Sequence, residues 1–290
     1  MIAVCLINYN TRDYTAACLH TLLAQNQSCH IVVVDNASTD GSLPALTTQF
    51  ATQCDTWQPT DDDFIAIYKN TQASIHFVAM PKNDGFASGN NFGIRFIKQQ
   101  LHADAILFLN NDTEVPVDFV QQMGNAYRQL LQKYHRVALT THEYDYYTHR
   151  KRHTGLQYLH LPTGLVLKQH LWPCLTYLCG ACIMVDTHAP LWNDTYFLYY
   201  EDADYGKRLQ NAGYHLCSTT ATAYFHKQGH ANASHRMTVF HSMWKFYDLN
   251  YPHYKKAVYL LRRLQYILKL NIKAYRQIKE SYESYERIAD

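Results

Sequence analysis

Apolar residues fall along the chain in short continuous runs, separated by stretches with helical spacing. Residues 2–8 form the first run, which ends in Asn8-Tyr9-Asn10. Tyr14, Ala17, Cys18, Leu22 and Leu23 then follow a helical pattern. Ile31-Val32-Val33-Val34-Asp35 is β-branched and stops at Asn36-Ala37-Ser38-Thr39-Asp40-Gly41. The unit repeats, predicting strands over 76–80 and 105–109 and helices over 85–100 and 117–131. Unbroken apolar strands alternating with helices belong to parallel sheets covered on both faces, so the pattern predicts a doubly wound α/β half. Ligands of such sheets bind beyond the carboxyl ends of the strands. That rule points to Tyr9, Asp35, Asn83 and 110–112.

The pattern changes after residue 141. Residues 142–178 are rich in Tyr, His and Thr, with a turn signal at Pro162-Thr163-Gly164, and predict a small antiparallel meander. Tyr177 to Val185 reads as one buried strand. A helix is expected from about Asp202 to Asn211, stopped by Gly213, since glycine favours the position just past a helix end. From Met237 the sequence is helical to its end.

Composition narrows the class. The chain has 290 residues, 47% of them hydrophobic and 17% charged, which excludes wholesale disorder. A net charge of +2 argues against a protein that coats nucleic acid through bulk charge, and no nucleic-acid partner is expected. The charge is uneven: residues 238–290 carry 10 basic and 5 acidic side chains. No apolar run reaches the ~18 residues needed to span a bilayer. Met1 to Ile7 lacks the basic region and cleavage site of a signal peptide. The eight cysteines are therefore expected as free thiols of a cytosolic protein, with Cys179 and Cys182 packing in a strand rather than binding metal.

Several segments can carry chemistry. Leu109-Asn110-Asn111-Asp112 brings two amides and a carboxylate to the sheet edge, where they form either a plain turn or a site for a hard divalent cation. Glu201-Asp202-Ala203-Asp204 places three carboxylates within four residues. They either complement a helix dipole or supply a general base. His226 ends a short apolar strand. Asn83 to Gly93 opens a helix with small residues, a setting for an anion, yet lacks the G-x-G-x-x-G fingerprint and the P-loop lysine. Asp61-Asp62-Asp63 follows a polar stretch with no strand before it and reads as a solvated loop.

Taken in order, these segments resemble the inverting family 2 glycosyltransferases of the GT-A fold, most closely the bacterial rhamnosyltransferase-like branch. The resemblance runs from about residue 3 to residue 230. It also rests on Gly180-Ala181-Cys182 and on Tyr224-Phe225-His226. It implies a mostly parallel central sheet flanked by helices, with a C-terminal helical tail. Residues 1–237 would be the catalytic domain, divided into a nucleotide-binding half (1–141) and an acceptor-binding half (142–237). Residues 238–290 would be a basic amphipathic tail.

The resemblance also implies roles. Tyr9, Asn10, Asp35, Asn83, Gly85, Asn91 and Asn111 would contact the nucleotide of a nucleotide-diphosphate sugar. Asp112 and His226 would bind Mg2+ or Mn2+. Asp202 would be the base, with Glu201 and Asp204 positioning it or meeting the acceptor. Gly180, Ala181, Trp172 and Tyr200 would face a saccharide or lipid-linked saccharide of the lipopolysaccharide, O-antigen or capsule type. The implied reaction is a single displacement with inversion.

Two departures qualify the pattern. Asn110 stands where the metal motif more often begins with Asp. A Q-x-x-R-W segment is absent, which implies one sugar added per encounter. A sugar-nucleotide nucleotidyltransferase and a decayed sugar-binding protein are the alternatives. The former is disfavoured because residues 6–14 offer only Arg12 as a basic group.

The tail poses a separate choice. Lys255, Arg262, Lys269 and Arg276 recur every seven residues, beside an apolar stripe of Leu260, Leu261, Leu264, Ile267, Leu268 and Ile272. Such a helix either lies on an anionic membrane or packs its stripe on the domain. With a lipid-linked acceptor, the implied place is the cytoplasm, with a peripheral contact at the inner face of the membrane.

Overall fold

In a computed structural model of the chain, residues 1–51, 56–58, 64–69, 73–227 and 236–289 are described. The opening apolar runs become β1 (Ile2–Asn8), β2 (Cys29–Asp35), β5 (Ala73–Ala79) and β6 (Ala105–Leu109). Between them lie α1 (Arg12–Leu23), α2 (Ser42–Ala51) and α3 (Phe86–Gln100). A hairpin of β3 (Thr56–Gln58) and β4 (Phe64–Lys69) precedes β5, and β4 pairs antiparallel with it. The acidic run at 61–63 lies outside the described residues, but a strand does come before it, contrary to expectation.

Strands β5, β2, β1 and β6 are parallel neighbours in that order. Asn8 is level with Asp35, and Asp35 with Ala79, so three strands end at one edge. Both faces of this sheet are apolar, as the unbroken runs require. Val4, Leu6, Ile31 and Val33 face one buried cluster, while Ala3, Cys5, Val32 and Val34 face another.

Past β6 the sheet turns mixed. β7 (Thr113–Glu114) and α4 (Phe119–Lys133) lead to β8 (Val137–Asp145) and β9 (Lys151–His153). The expected meander is β10 (Leu156–His160), β11 (Leu165–Leu167) and β12 (Cys174–Leu178), an antiparallel sheet of its own. β13 (Cys182–Asp186) inserts antiparallel beside β6, pairing Cys182 with Leu109. The apolar run 177–185 is thus two strands in two sheets, broken at Cys179-Gly180-Ala181. That break delivers Gly180 to the ligand-binding edge. After α5 (Glu201–Asn211), β14 (His215–His226) returns parallel to β8 and brings His226 level with Asp145 and Thr113.

The tail is helical, as expected, and it packs on the domain. It is three helices: α6 (Arg236–Asn250), α7 (Pro252–Leu268) and α8 (Ile272–Ala289). Phe240, Met243, Trp244, Phe246 and Tyr247 of α6 share one core with Leu159, Leu175, Tyr177, Tyr196 and Ala203. Tyr247 donates to the carbonyl of Leu161 at 2.9 Å and Ser242 to that of Leu198 at 2.8 Å. Tyr259 of α7 stacks on Tyr282 of α8 with ring centroids 4.0 Å apart.

The seven-residue basic face does not form, because the helix breaks after Lys269 and Leu270 takes a positive φ of 52°. Lys255 turns inward to Asp248 (2.8 Å) and Glu286. Arg262 also turns inward, to the carbonyl of Gly164 at 2.6 Å. The apolar stripe stays outside: Leu260, Leu261, Leu264, Ile267, Leu268 and Ile272 are all exposed, and so is Leu270. Among the described residues, no helix is long and apolar enough to cross a membrane.

Candidate active site

The site lies where β1, β2, β5 and β6 end and where β13 begins. On its nucleotide side, Asn8 acts as the hub. Its amide donates to Asp35 Oδ1 at 2.7 Å and to the Ser42 hydroxyl at 3.1 Å, and its oxygen accepts from Thr15 at 2.7 Å. Asp35 is buried, and its Oδ2 accepts from the backbone N–H of Ser38 at 2.9 Å. The aspartate therefore shapes the two loops that would frame a base, and a base would have to use its remaining lone pairs. Asn10, with a positive φ of 53°, clasps Thr39 through its side-chain oxygen at 2.8 Å. Tyr9 beside it is 43% exposed and available for stacking.

Asn83 Oδ1 accepts from Asn36 Nδ2 at 2.9 Å and from the backbone N–H of Gly85 at 3.0 Å. Gly85 needs to be glycine: its φ is 91°, and a Cβ would lie 2.2 Å from the carbonyl oxygen of Phe197. Asn91 is the residue expected to meet the nucleotide from α3. Its amide is spent on Trp192, donating to that carbonyl and accepting from that N–H, each at 2.9 Å. It sits on the buried face of α3 and braces the helix. Asn111 likewise donates to Thr11 and Thr15 at 2.7 Å, holding the loop after β1.

Asp112 and His226 meet across the edge, with Oδ1 and Nε2 3.0 Å apart. Asn110 Nδ2 lies 3.5 Å from the same ring nitrogen, and its Oδ1 is buried with no partner. A carboxylate oxygen, an orphaned amide oxygen and an imidazole nitrogen form a donor set that suits Mg2+ or Mn2+. The other ring nitrogen of His226 is 3.2 Å from Glu143 Oε1.

Sequence reasoning missed Glu143, which sits among the polar residues of the second half of β8 and has no local signal of its own. Glu143 is buried and accepts from Tyr224 at 2.7 Å and from Arg152 at 3.2 Å, with His153 3.3 Å away. Burial would raise its pKa, but the two histidines outweigh that and hold it well below the usual carboxylate range. Burial alone would lower His226; the carboxylates of Asp112 and Glu143 push it up to about 9. Glu143, His153 and Cys179 also present metal-ligand atoms within 4.8 Å of one another. However, burial pushes the Cys179 thiol far up, and Glu143 is already engaged by Tyr224 and Arg152, so this cluster supports His226.

The acidic motif starts α5. Tyr199 and Tyr200 just before it both have positive φ, 71° and 66°, a strained conformation for residues with large side chains. This kink aims Glu201 and Asp202 into a cavity of about 340 Å³. Asp202 Oδ2 accepts from the N–H of Gly180 at 3.3 Å, and Oδ1 from its neighbour Ala203 at 2.8 Å. Burial raises the pKa of Asp202, and burial together with Asp202 raises that of Glu201. Glu201 Oε2 is buried with no partner, which fits a carboxyl that keeps its proton.

Asp204 is the residue expected to position Asp202 or meet the acceptor. Two residues along a helix lie about 200° apart, so it faces away from Asp202. It accepts from Arg208 at 2.6 Å and from Asn250 of α6 at 2.9 Å.

The acceptor candidates divide. Tyr200 lines the cavity, together with Tyr177 and Arg262. Gly180 acts through Asp202, while Ala181 is buried and its carbonyl accepts from the N–H of Asn110 at 2.9 Å. Trp172 is 83% exposed and does not line the cavity.

Comparison with known proteins agrees with this geometry. Residues 3–186 match the family model of glycosyl transferase family 2. A low-salt glycan biosynthesis hexosyltransferase, Agl10 of Haloferax volcanii, is 21% identical over 160 residues, which are 53% of this chain and 52% of that protein. The chain thus spans about half the length of that curated relative.

Among solved structures, S. aureus TarS (residues 1–349) superposes with a TM-score of 0.52 at 13% identity, covering 98% of this chain and 91% of that one. The mannosyltransferase PcManGT of Pyrobaculum calidifontis, in complex with GDP-Man and Mn2+, gives a TM-score of 0.56 at 12% identity, covering 99% and 75%. The family match spans the parallel strands and the edge where Asp35, Asn83 and Asp112 gather, and the chain belongs to glycosyl transferase family 2, as an enzyme built on the GT-A fold.

Proposed function

We propose that this enzyme moves one hexosyl unit from a nucleoside-diphosphate sugar to a hydroxyl of a saccharide acceptor, by a single displacement that inverts the anomeric centre. The observation that carries the reading is Asp202, a carboxylate of raised pKa held at a cavity by Gly180, whose neighbour Ala181 bonds Asn110 of the Asp112–His226 group. A base with a pKa closer to neutrality takes a hydroxyl proton more readily than an ordinary carboxylate. Asn110, Asp112 and His226 would hold the divalent cation, which supplies charge neutralisation for the departing diphosphate. Tyr9, Asn10 and the loops shaped by Asp35 and Asn83 would seat the nucleotide. Glu143 holds the ring of His226, as outer carboxylates do for metal-binding histidines.

The hexosyl class and the GDP-linked donor follow the relatives, one a hexosyltransferase and one bound to GDP-Man and Mn2+. The acceptor is proposed to be an envelope polysaccharide precursor carried on lipid at the inner face of the cytoplasmic membrane. Support comes from the exposed leucines of α7 and from Lys256, Lys269, Lys273 and Arg276, which are exposed around them.

A panel of nucleotide sugars, read by release of nucleoside diphosphate with Mn2+, tests the reaction. Asp202→Asn should abolish transfer and leave donor affinity nearly intact. Equal loss of both would refute the base assignment.

A further inference from the structure

The cavity beside Asp202 contains a cation that the proposed reaction does not use. Arg262 reaches into it from α7, a segment outside the family match. Its Nη2 donates to the carbonyl of Gly164 at 2.6 Å and its Nη1 to Gln265 at 3.1 Å. Its Nε is buried with no partner, and Tyr200 lines the same cavity. These neighbours are neutral. Among the described residues, no carboxylate lies within ion-pair distance of Arg262, although Glu201 and Asp202 line the same cavity.

Arg152 pairs with Glu143 and Asp145, and Arg208 with Asp204, whereas Arg263, like Arg262, bonds neutral groups, the hydroxyls of Tyr259 and Tyr275. A half-buried guanidinium with only neutral neighbours keeps its charge available, and its planar fork matches phosphate or carboxylate oxygens. One cavity therefore holds both a proton acceptor, Asp202, and an anion binder, Arg262.

We infer that the acceptor carries an anionic group, a phosphate in particular, which Arg262 binds while the acceptor hydroxyl faces Asp202. The inference rests on the acceptor entering this cavity, as proposed above. The phosphate is either borne by the saccharide or links it to a lipid.

The test is calorimetric binding of glucose 1-phosphate, methyl glucoside and the octyl diester of glucose 1-phosphate, with no donor present and EDTA added. Without metal, the site at Asp112 lacks the divalent cation that would draw a phosphate, and the Arg262 variants assign any remaining preference to the cavity. Glucose 1-phosphate should bind about tenfold or more tightly than methyl glucoside, the effect of one charge-assisted contact. Arg262→Gln should erase that preference and Arg262→Lys should keep part of it.

A tighter octyl diester identifies a lipid-linked phosphate, and equal binding identifies a saccharide-borne one; both support the inference. Equal affinity for charged and neutral probes, absence of phosphate binding, or a preference that survives Arg262→Gln would overturn it. The wild-type comparison stands even if a variant fails to fold. Because no donor is present, a failure of this binding is distinct from a failure of sugar transfer.

Discussion

Gly180 and Asp202 lie against each other: the glycine N–H reaches Asp202 Oδ2 at 3.3 Å, and a Cβ at position 180 would sit 3.2 Å from the aspartate Cβ. The break between β12 and β13 therefore fixes the carboxylate from the side opposite its own helix. Gly180→Ala should push Asp202 out of line and lower kcat about tenfold or more, as small misplacements at a reacting centre do. Donor affinity should not change. Steady-state kinetics with a separate donor titration checks this, and an unchanged kcat would show that the contact does not matter.

Glu201 and Asp202 set the pH behaviour. Both carboxyls have raised pKa values, through burial and, for Glu201, through the neighbouring Asp202. Transfer needs Asp202 ionised, so kcat/KM should rise with pH along a limb placed above the usual carboxylate value of about 4. Glu201 keeps its proton while Asp202 ionises, so Glu201→Gln should leave that limb where it is. A pH–rate profile of the two proteins checks both statements, and a limb at the ordinary carboxylate value would contradict them.

The stability effect has the opposite sense. A carboxyl whose folded pKa is raised costs nothing below its unfolded pKa, and its full cost is reached above the folded one. Asp202→Asn should therefore raise Tm at pH 8 and leave it unchanged near pH 4, by about 2–4 °C for ~1 kcal/mol. Thermal melts at the two pH values decide it; a lower Tm at pH 8 would contradict the burial argument.

Glu143 should matter for the cation without touching it. Glu143→Gln keeps the shape but removes the charge beside the inner ring nitrogen of His226. Mn2+ affinity, read by the signal of free Mn2+ in electron paramagnetic resonance, should fall about tenfold. A change no larger than that of a surface variant such as Glu280→Gln would dismiss the support role.

The leucine face of α7 predicts binding to vesicles. Leu264 and Leu268 are 50% and 74% exposed, so replacing both with Glu should cost little stability. The double variant should lose co-sedimentation with vesicles that contain anionic lipid, while keeping transfer to a water-soluble acceptor. Undiminished co-sedimentation would remove this face from the membrane contact.

Much of this arrangement was legible in the sequence. β2 shows why: a strand buried on both faces is written as an unbroken run such as Ile31 to Val34, and the polar residues that stop it mark the ligand edge. The places of Asp112, His226 and Asp202 were legible for a related reason, since each lies at or just past the end of an apolar segment. The bonds of Asp204 to Arg208 and of Asn91 to Trp192 were illegible, because counting carboxylates ignores helical phase and a short amide motif reads the same whether it meets a ligand or a backbone. Glu143 and Arg262 were illegible as partners. Each meets its neighbour, His226 or Gly164, only through the tertiary fold, and no local spacing announces a contact of that kind.

The packing of α6, α7 and α8 carries a consequence for how the enzyme can be divided. Trp244 donates to Ser281 at 3.1 Å, and Val258 and Ile278 are fully buried with the aromatic residues of α6. A chain cut after residue 237 would uncover that core and take Arg262 away from the cavity. The last fifty or so residues are therefore a wall of the cavity that Asp202 lines and not an appendage to it. Because one helix carries both Arg262 and the outward leucines, the leucine face and the cavity wall turn as one piece.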